Sequence, residues 1–174
     1  QAPMAGVQGS ALAIAVSNAG GLGSLPCAML TGEAIRAEVA HLRAGIERKD
    51  TVGAPFNLNF FCHQLPEPDA AIEAVWRQQF ADDYKAFDIN PDTIEPLPLR
   101  LPFSSEMASL VEEVRPAVVS FHFGLPDPVL LDRVKRCGAK IMSSATTVDE
   151  AVWLEANGAD VIIAGRSYDP SVFA

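Results

Sequence analysis

Cysteine is scarce in this 174-residue chain, which carries only Cys27, Cys62 and Cys137. An odd, widely spaced set offers neither a disulfide framework nor a zinc-ligand spacing, and it predicts a reducing, intracellular setting. Each thiol reads first as a small buried hydrophobe. Positive charge is short as well: 13 Lys and Arg stand against 22 Asp and Glu, a formal net charge of −9. The densest basic patch, Arg43 to Lys49, is broken by Glu47. No stripe therefore exists to displace counterions from a nucleic acid or to sit on an anionic membrane. No apolar run reaches the length of a bilayer span, and no charged leader precedes an apolar region. A cytoplasmic protein is expected. The chain opens on Gln1, inside what reads as a strand, so an incomplete amino terminus is also expected.

Chemical signatures are missing too. Strand ends carry no carboxylate pair suited to glycoside hydrolysis, and no His/Asp/Glu spacing suits a metal. There is no GxSxG elbow. The first candidate turn, Gly6-Val-Gln-Gly9-Ser10, lacks the GxGxxG pattern of a dinucleotide fold. Gly20-Gly21-Leu22-Gly23 is rich in glycine, but it precedes a strand where a phosphate cradle would open a helix.

What is present is a rhythm. Short apolar stretches at Gln1–Gly6, Gly21–Leu25, Phe56–Phe61, Ala117–Phe123, Lys140–Ser144 and Asp160–Ala164 read as six strands. Helices fall between them. Ser10, Thr31, Asp69, Ser104, Asp127 and Thr147 stand as their N-caps, and Thr147 with Glu150 forms a capping box. The helix from Thr31 to about Arg48 carries one apolar stripe, Ile35, Val39, Leu42 and Ile46, with His41 beside it. The helix from Asp69 to about Phe87 puts Ile72, Val75, Trp76 and Phe80 on one side. Prolines 91, 96, 98 and 102 exclude regular structure nearby, so residues 64–102 read as an excursion from the rim of one domain spanning 1–174. Alternating strands and amphipathic helices mean a parallel sheet covered on both faces, either doubly wound or a (β/α) barrel. The last ten residues, Gly165–Ala174, contain Asp169-Pro170, a possible helix start.

In parallel folds ligands are held at the carboxyl ends of strands. Collected there are Met4, Ala5 and Gly6; Ser24; Asn59, Cys62 and His63; Ser120 and His122; Ser143, Ser144, Thr146 and Thr147. Asn57 and Asn59 share one face of a core strand, where buried amides are costly without partners. The set is polar and uncharged, with histidine the only group titrating near neutrality. Amides, hydroxyls and backbone groups suit an uncharged heteroaromatic ring, of which flavin is one example.

QAPMAG, SNAGGLGSL, PFNLNFFCH, VVSFHFGLP and IMSSATTVDEAVWLEANGAD, in this order, resemble the nitronate monooxygenase family, also called 2-nitropropane dioxygenases. The resemblance covers about residues 1–164. It implies a (β/α)8 TIM-type barrel, here with about six βα units. It further implies FMN as cofactor, no metal, and oxidation of alkyl nitronates by O2. Met4, Ala5 and Gly6 match the first-strand motif that lies against the flavin ring. Asn59 matches an asparagine that hydrogen-bonds the flavin. Ser143, with Ser144 and Thr147, falls where a later strand meets the site, and Ser143 is placed with the cofactor ligands. His122 matches the histidine of the SFHFG block and stands as a site-lining residue.

The resemblance departs after the sixth strand. There the family carries a flavin-binding glutamine, a Gly-Gly pair and the histidine taken as catalytic base. This chain reads Ala164-Gly-Arg-Ser-Tyr-Asp-Pro-Ser-Val-Phe-Ala174. On that comparison the chain is truncated, lacks the family base, and is expected to bind FMN poorly, leaving His122 as the best histidine for proton chemistry. Two other readings stay open: a non-catalytic remnant or interaction module of the same fold, and an NAD(P)H-dependent enoyl or quinone reductase of the FMN-barrel class.

Overall fold

The computed structural model describes residues 1–47, 55–65, 67–94 and 100–164. Gly165–Ala174, Arg48, Pro96 and Pro98 lie outside them. The chain divides into two compact units, residues 1–63 with 101–174, and Gln64–Arg100.

Among the described residues the larger unit holds five strands, β1 Gly23–Pro26, β2 Phe56–Phe61, β3 Val118–His122, β4 Lys140–Ala145 and β5 Val161–Ala164. Its helices are α1 Ser10–Asn18, α2 Gly32–Gly45, α5 Ser105–Val114, α6 Pro128–Arg136 and α7 Val148–Ala156. The strands pair in parallel in the order β1-β2-β3-β4-β5. A doubly wound sheet reverses its order at a switch point, whereas here every strand lies beside its successor in sequence. That progression is the winding of a (β/α) barrel, and the sheet is an arc of one.

Side chains alternate across this sheet. Leu25, Phe56, Leu58, Phe60, Val119, Phe121 and Ile141 lie on one face and are buried in the core. Helices pack over them. The α2 stripe of Ile35, Val39, Leu42 and Ile46 is fully buried, each side chain contributing roughly 1.5–3 kcal/mol. Ala108, Leu110, Val111 and Val114 do the same for α5. The ends follow sequence chemistry. Thr31, Ser104 and Asp127 accept hydrogen bonds from the first-turn amides of α2, α5 and α6. At α7, Thr147 and Glu150 close a full capping box.

Three expectations are corrected. Gln1–Gly6 forms no strand. Pro3 has no N–H to give to a ladder, and a turn closes at once through Val7 N–H to Met4 O, with Gly6 at φ 82°. Instead, side chains meet the free edge of β1. Gln1 Oε1 accepts from Ser24 N–H at 3.1 Å, and Gln8 Nε2 donates to Ser24 O at 2.8 Å. Ser10 is not a cap but the first, buried residue of α1, behind Gly9. Its N–H is taken 2.6 Å away by Glu38 Oε2 of α2, and hydrogen bonding from the Ser10 side chain and then from this N–H holds the Glu38 carboxyl below its usual range. Third, the helix begun at Asp69 does not run unbroken to Phe87. It divides at Phe80 into α3 Ala70–Gln79 and α4 Ala81–Ala86.

Within the smaller unit, Trp76 and Phe80 stack at 6.0 Å, and Arg77 donates to Pro91 O beside a 3-10 turn at Pro91–Thr93. Ile72, Val75, Trp76 and Phe80 are all exposed. Among the described residues no helix is long and apolar enough to cross a membrane.

Candidate functional site

The face of the sheet opposite the helix-packed core carries three polar rows. Strand register sets them. Ser24 is level with Asn57 and Val118; Pro26 with Asn59, Ser120 and Met142; Phe61 with His122. His122 continues across to Ser144 of β4 through a hydrogen bond of 2.7 Å between Nδ1 and Oγ.

The two lower rows form one network. Asn57 Nδ2 donates to Ser24 Oγ at 3.1 Å and to Ser120 Oγ at 2.8 Å. Asn59 Nδ2 donates to Ser120 Oγ at 2.9 Å and to Ser120 O at 3.3 Å. All four residues are buried. Ser120 is the hub, because its hydroxyl oxygen accepts from both amides. The network is not closed: Asn57 Oδ1 is buried and has no hydrogen-bond partner among the described residues. A buried acceptor left this way costs about 1–3 kcal/mol, so the arrangement is not what stability alone would select.

The upper row borders an open cavity of about 620 Å³. Pro3, Phe61, Phe123, Trp153 and Leu154 supply its apolar wall; His122, Ser144, Thr146 and Glu150 its polar one. Around it Phe61 meets Phe123 edge-on at 5.3 Å and lies tilted to His122 at 6.2 Å. Half-burial disfavours the imidazolium, so the His122 pKa lies below the ordinary 6.5. Ser144 engages Nδ1, which leaves Nε2 as the ring nitrogen facing other partners. Glu150 Oε2 accepts from Thr146 N–H, Thr146 Oγ1 and Thr147 N–H, and those bonds hold its carboxyl below the usual range. This charge is committed to the helix cap. Cys62, beside Phe61, is pushed up to about 12 by burial and stays a thiol.

The residues expected at the site are distributed as follows. His122 borders the cavity. Asn59 lies one row below it, inside the network. Met4 and Gly6 are exposed and Ala5 is half-buried, in the turn beyond Pro3. Ser143 is on the other face. Level with Phe121, it is fully buried on the helix side, and its hydroxyl donates to Gly124 O at 2.9 Å, with Phe121 O 3.3 Å away. Of the pair Ser143-Ser144, it is Ser144 that meets His122. Thr147 serves α7 as a cap. Phe61, Phe123 and Trp153 were not singled out from sequence, although period-two alternation from Asn59 already puts Phe61 on its face. Gly23 is glycine for packing: a Cβ there would strike Ala13 O of α1 and lie 2.6 Å from Ser17 Oγ. Among the described residues no group of three or more His, Cys, Asp and Glu could hold a metal ion.

Against this geometry the comparisons are direct. The family model described as Nitronate monooxygenase matches residues 1–167. The chain belongs to the nitronate monooxygenase family. A nitronate monooxygenase of Paraburkholderia phytofirmans is 38% identical over 165 residues, covering 94% of this chain and 43% of that protein. One from Pseudomonas aeruginosa is also 38% identical, over 94% of this chain and 45% of the relative. Among solved structures, a nitroalkane oxidase from Streptomyces ansochromogenes superposes with a TM-score of 0.75 at 34% identity, over 94% of this chain and 44% of that one. FabK from Thermotoga maritima, at 24% identity and a TM-score of 0.61, shares the fold. This member of the nitronate monooxygenase family thus spans less than half the length of the relatives it matches.

Proposed function

We propose that this chain takes part in the oxidation of alkyl nitronates by O2, with FMN as cofactor. The observation that carries the reading is the His122–Ser144 pair, an oriented neutral imidazole bordering a cavity with one polar and one apolar side. A nitronate has the same division: a planar anionic head and a hydrocarbon tail.

The donor set fits a flavin. The network of Ser24, Asn57, Asn59 and Ser120 is uncharged, is built of amides and hydroxyls, and keeps one buried acceptor, Asn57 Oδ1, without a donor among the described residues. An uncharged ring edged with both donors and acceptors is the chemistry such a face can satisfy. Asn59, Asn57 and Ser120 would hold it from the sheet, and the backbone of Met4, Ala5 and Gly6 from the adjoining turn. When bound, FMN supplies the electron sink for the nitronate and the reaction with O2.

The chain's own residues bind, orient and handle protons. His122 is neutral at pH 7, so Nε2 can accept a proton or, in the other tautomer, donate a hydrogen bond to the head group. Ser144 fixes the ring through Nδ1, which lowers the reorganisation needed on binding. Phe61 and Phe123 exclude water from the tail. Glu150 stays ionised, and the three donors its Oε2 faces only partly offset that charge at the edge of the cavity.

The test is oxygen uptake by the purified chain with added FMN and an alkyl nitronate, set beside NADPH oxidation without nitronate. Nitronate-dependent uptake supports the proposal. NADPH oxidation alone would replace it with the reductase reading, and absence of both, together with no flavin binding, with the non-catalytic one.

A further inference from the structure

Phe123 is the residue whose placement stability does not explain. It is one of three non-glycine residues with positive φ, at 68°, among the described residues. An L-phenylalanine is disfavoured there because its Cβ crowds the following carbonyl. Such a conformation persists where surrounding structure over-determines it. Burial does not compensate, for the side chain is 65% exposed. Both contributions therefore run against phenylalanine, yet the ring lies on the apolar wall of the cavity, edge-on to Phe61 at 5.3 Å and to His63 at 6.1 Å.

A buried hydroxyl holds this turn. Ser143 lies beneath it, fully buried on the opposite face of the sheet. Its hydroxyl donates to Gly124 O at 2.9 Å, with Phe121 O 3.3 Å away. These two carbonyls flank His122-Phe123 on either side. One buried hydroxyl therefore clamps β3 to the turn after it, and Gly124, at φ 94°, completes the bend without a side chain.

We propose that Phe123 is a specificity-determining residue that grips the hydrocarbon tail of the substrate, and that Ser143 is the positioning residue that keeps it there. The inference rests on the nitronate reading of the same cavity for the head group, but not for the tail. A tail lying on an aromatic wall leaves water in proportion to its length. Full burial of each methylene is worth a roughly fourfold gain in affinity.

The experiment measures dissociation constants by calorimetry, on the full chain with saturating FMN. Two series are used: alkyl nitronates of two to six carbons and alkyl carboxylates of the same lengths. The second keeps a planar anionic head, so a failure of nitronate recognition leaves the tail measurement running. In wild type, affinity rises about two- to fourfold per methylene in at least one series. Phe123→Gly and Ser143→Ala flatten that slope below about 1.5-fold, while Phe123→Leu keeps most of it. Phe123→Gly also holds or raises the melting temperature, by up to about 2–4 °C, because glycine accepts the positive φ. Binding of carboxylates but not nitronates, with the slope intact, sinks the nitronate reading and leaves the wall standing. The proposal is overturned if wild type shows no dependence on length, if neither series binds, or if Phe123→Gly keeps the wild-type slope. A normal slope in Ser143→Ala overturns the positioning role.

Discussion

His122 Nδ1 and Ser144 Oγ meet at 2.7 Å across β3 and β4, and this bond ties the only cavity-lining histidine among the described residues to the neighbouring strand. Removing the ring and removing its tether should differ. His122→Ala is expected to abolish nitronate-dependent oxygen uptake. Ser144→Ala leaves the imidazole but frees its orientation, and a loss of about tenfold in kcat/KM corresponds to one hydrogen bond of ordinary strength. Steady-state kinetics on both variants checks this; equal losses would contradict a tethering role.

The same histidine gives a pH signature in stability. Burial lowers the His122 pKa in the folded state relative to 6.5. The unfolded chain therefore binds more protons in the interval between the two values, and folding stability rises with pH across it. Sign and window follow: a destabilisation that is full below the folded pKa and gone above about pH 6.5. Urea midpoints from pH 5 to 8 should rise in wild type across the lower part of that range, and more weakly in His122→Gln. An equal slope in the variant would place the pH dependence elsewhere.

The winding was legible because strand and helix periods differ and cap residues are chemically specific. Thr31, Ser104, Asp127 and the Thr147/Glu150 box all do what their side chains require. Other features turned on partners distant in sequence. Ser10 resembles a cap locally, but Glu38, 28 positions away, takes its N–H instead. Gln1–Gly6 has a strand's composition, and only the neighbouring β1 edge shows that glutamine side chains replace ladder bonds. At the site, alternation placed Asn57 and Asn59 on one face. Choosing between Ser143 and Ser144 needed the register of β4 against β3, since a slip of one residue exchanges the faces.

Ser120 is the residue on which the inner network depends. Its hydroxyl oxygen accepts from Asn57 and Asn59 at 2.8 and 2.9 Å. Ser120→Ala takes an acceptor from two buried amides at once, although Asn57 keeps Ser24 and Asn59 keeps the longer bond to Ser120 O. A loss of about 2 kcal/mol is expected, or a melting temperature lower by roughly 4–8 °C. Calorimetric unfolding checks it. A change below 0.5 kcal/mol, by order of magnitude that of a surface site, would mean water replaces the hydroxyl.

Gly23 gives the sharpest packing prediction. It begins β1 and lies against α1, and its N–H donates to Ser17 Oγ at 3.1 Å. An added Cβ would collide with Ala13 O, a backbone atom inside a helix that cannot turn aside as a side-chain tip can. Relief requires α1 to move off the strand, which would strip the packing around Ala13 and Leu25, both fully buried. Gly23→Ala should therefore cost about 3 kcal/mol, the upper end of the range for overpacked cores, and reduce soluble yield. Gly20→Ala is the matched comparison: among the described residues, its chain neighbours apart, no atom lies within 4 Å of its added Cβ, and its φ of 94° strains any side chain. Soluble expression and urea unfolding of the two variants separate collision from backbone strain, and a Gly23→Ala protein as stable as Gly20→Ala would show that α1 can shift without loss.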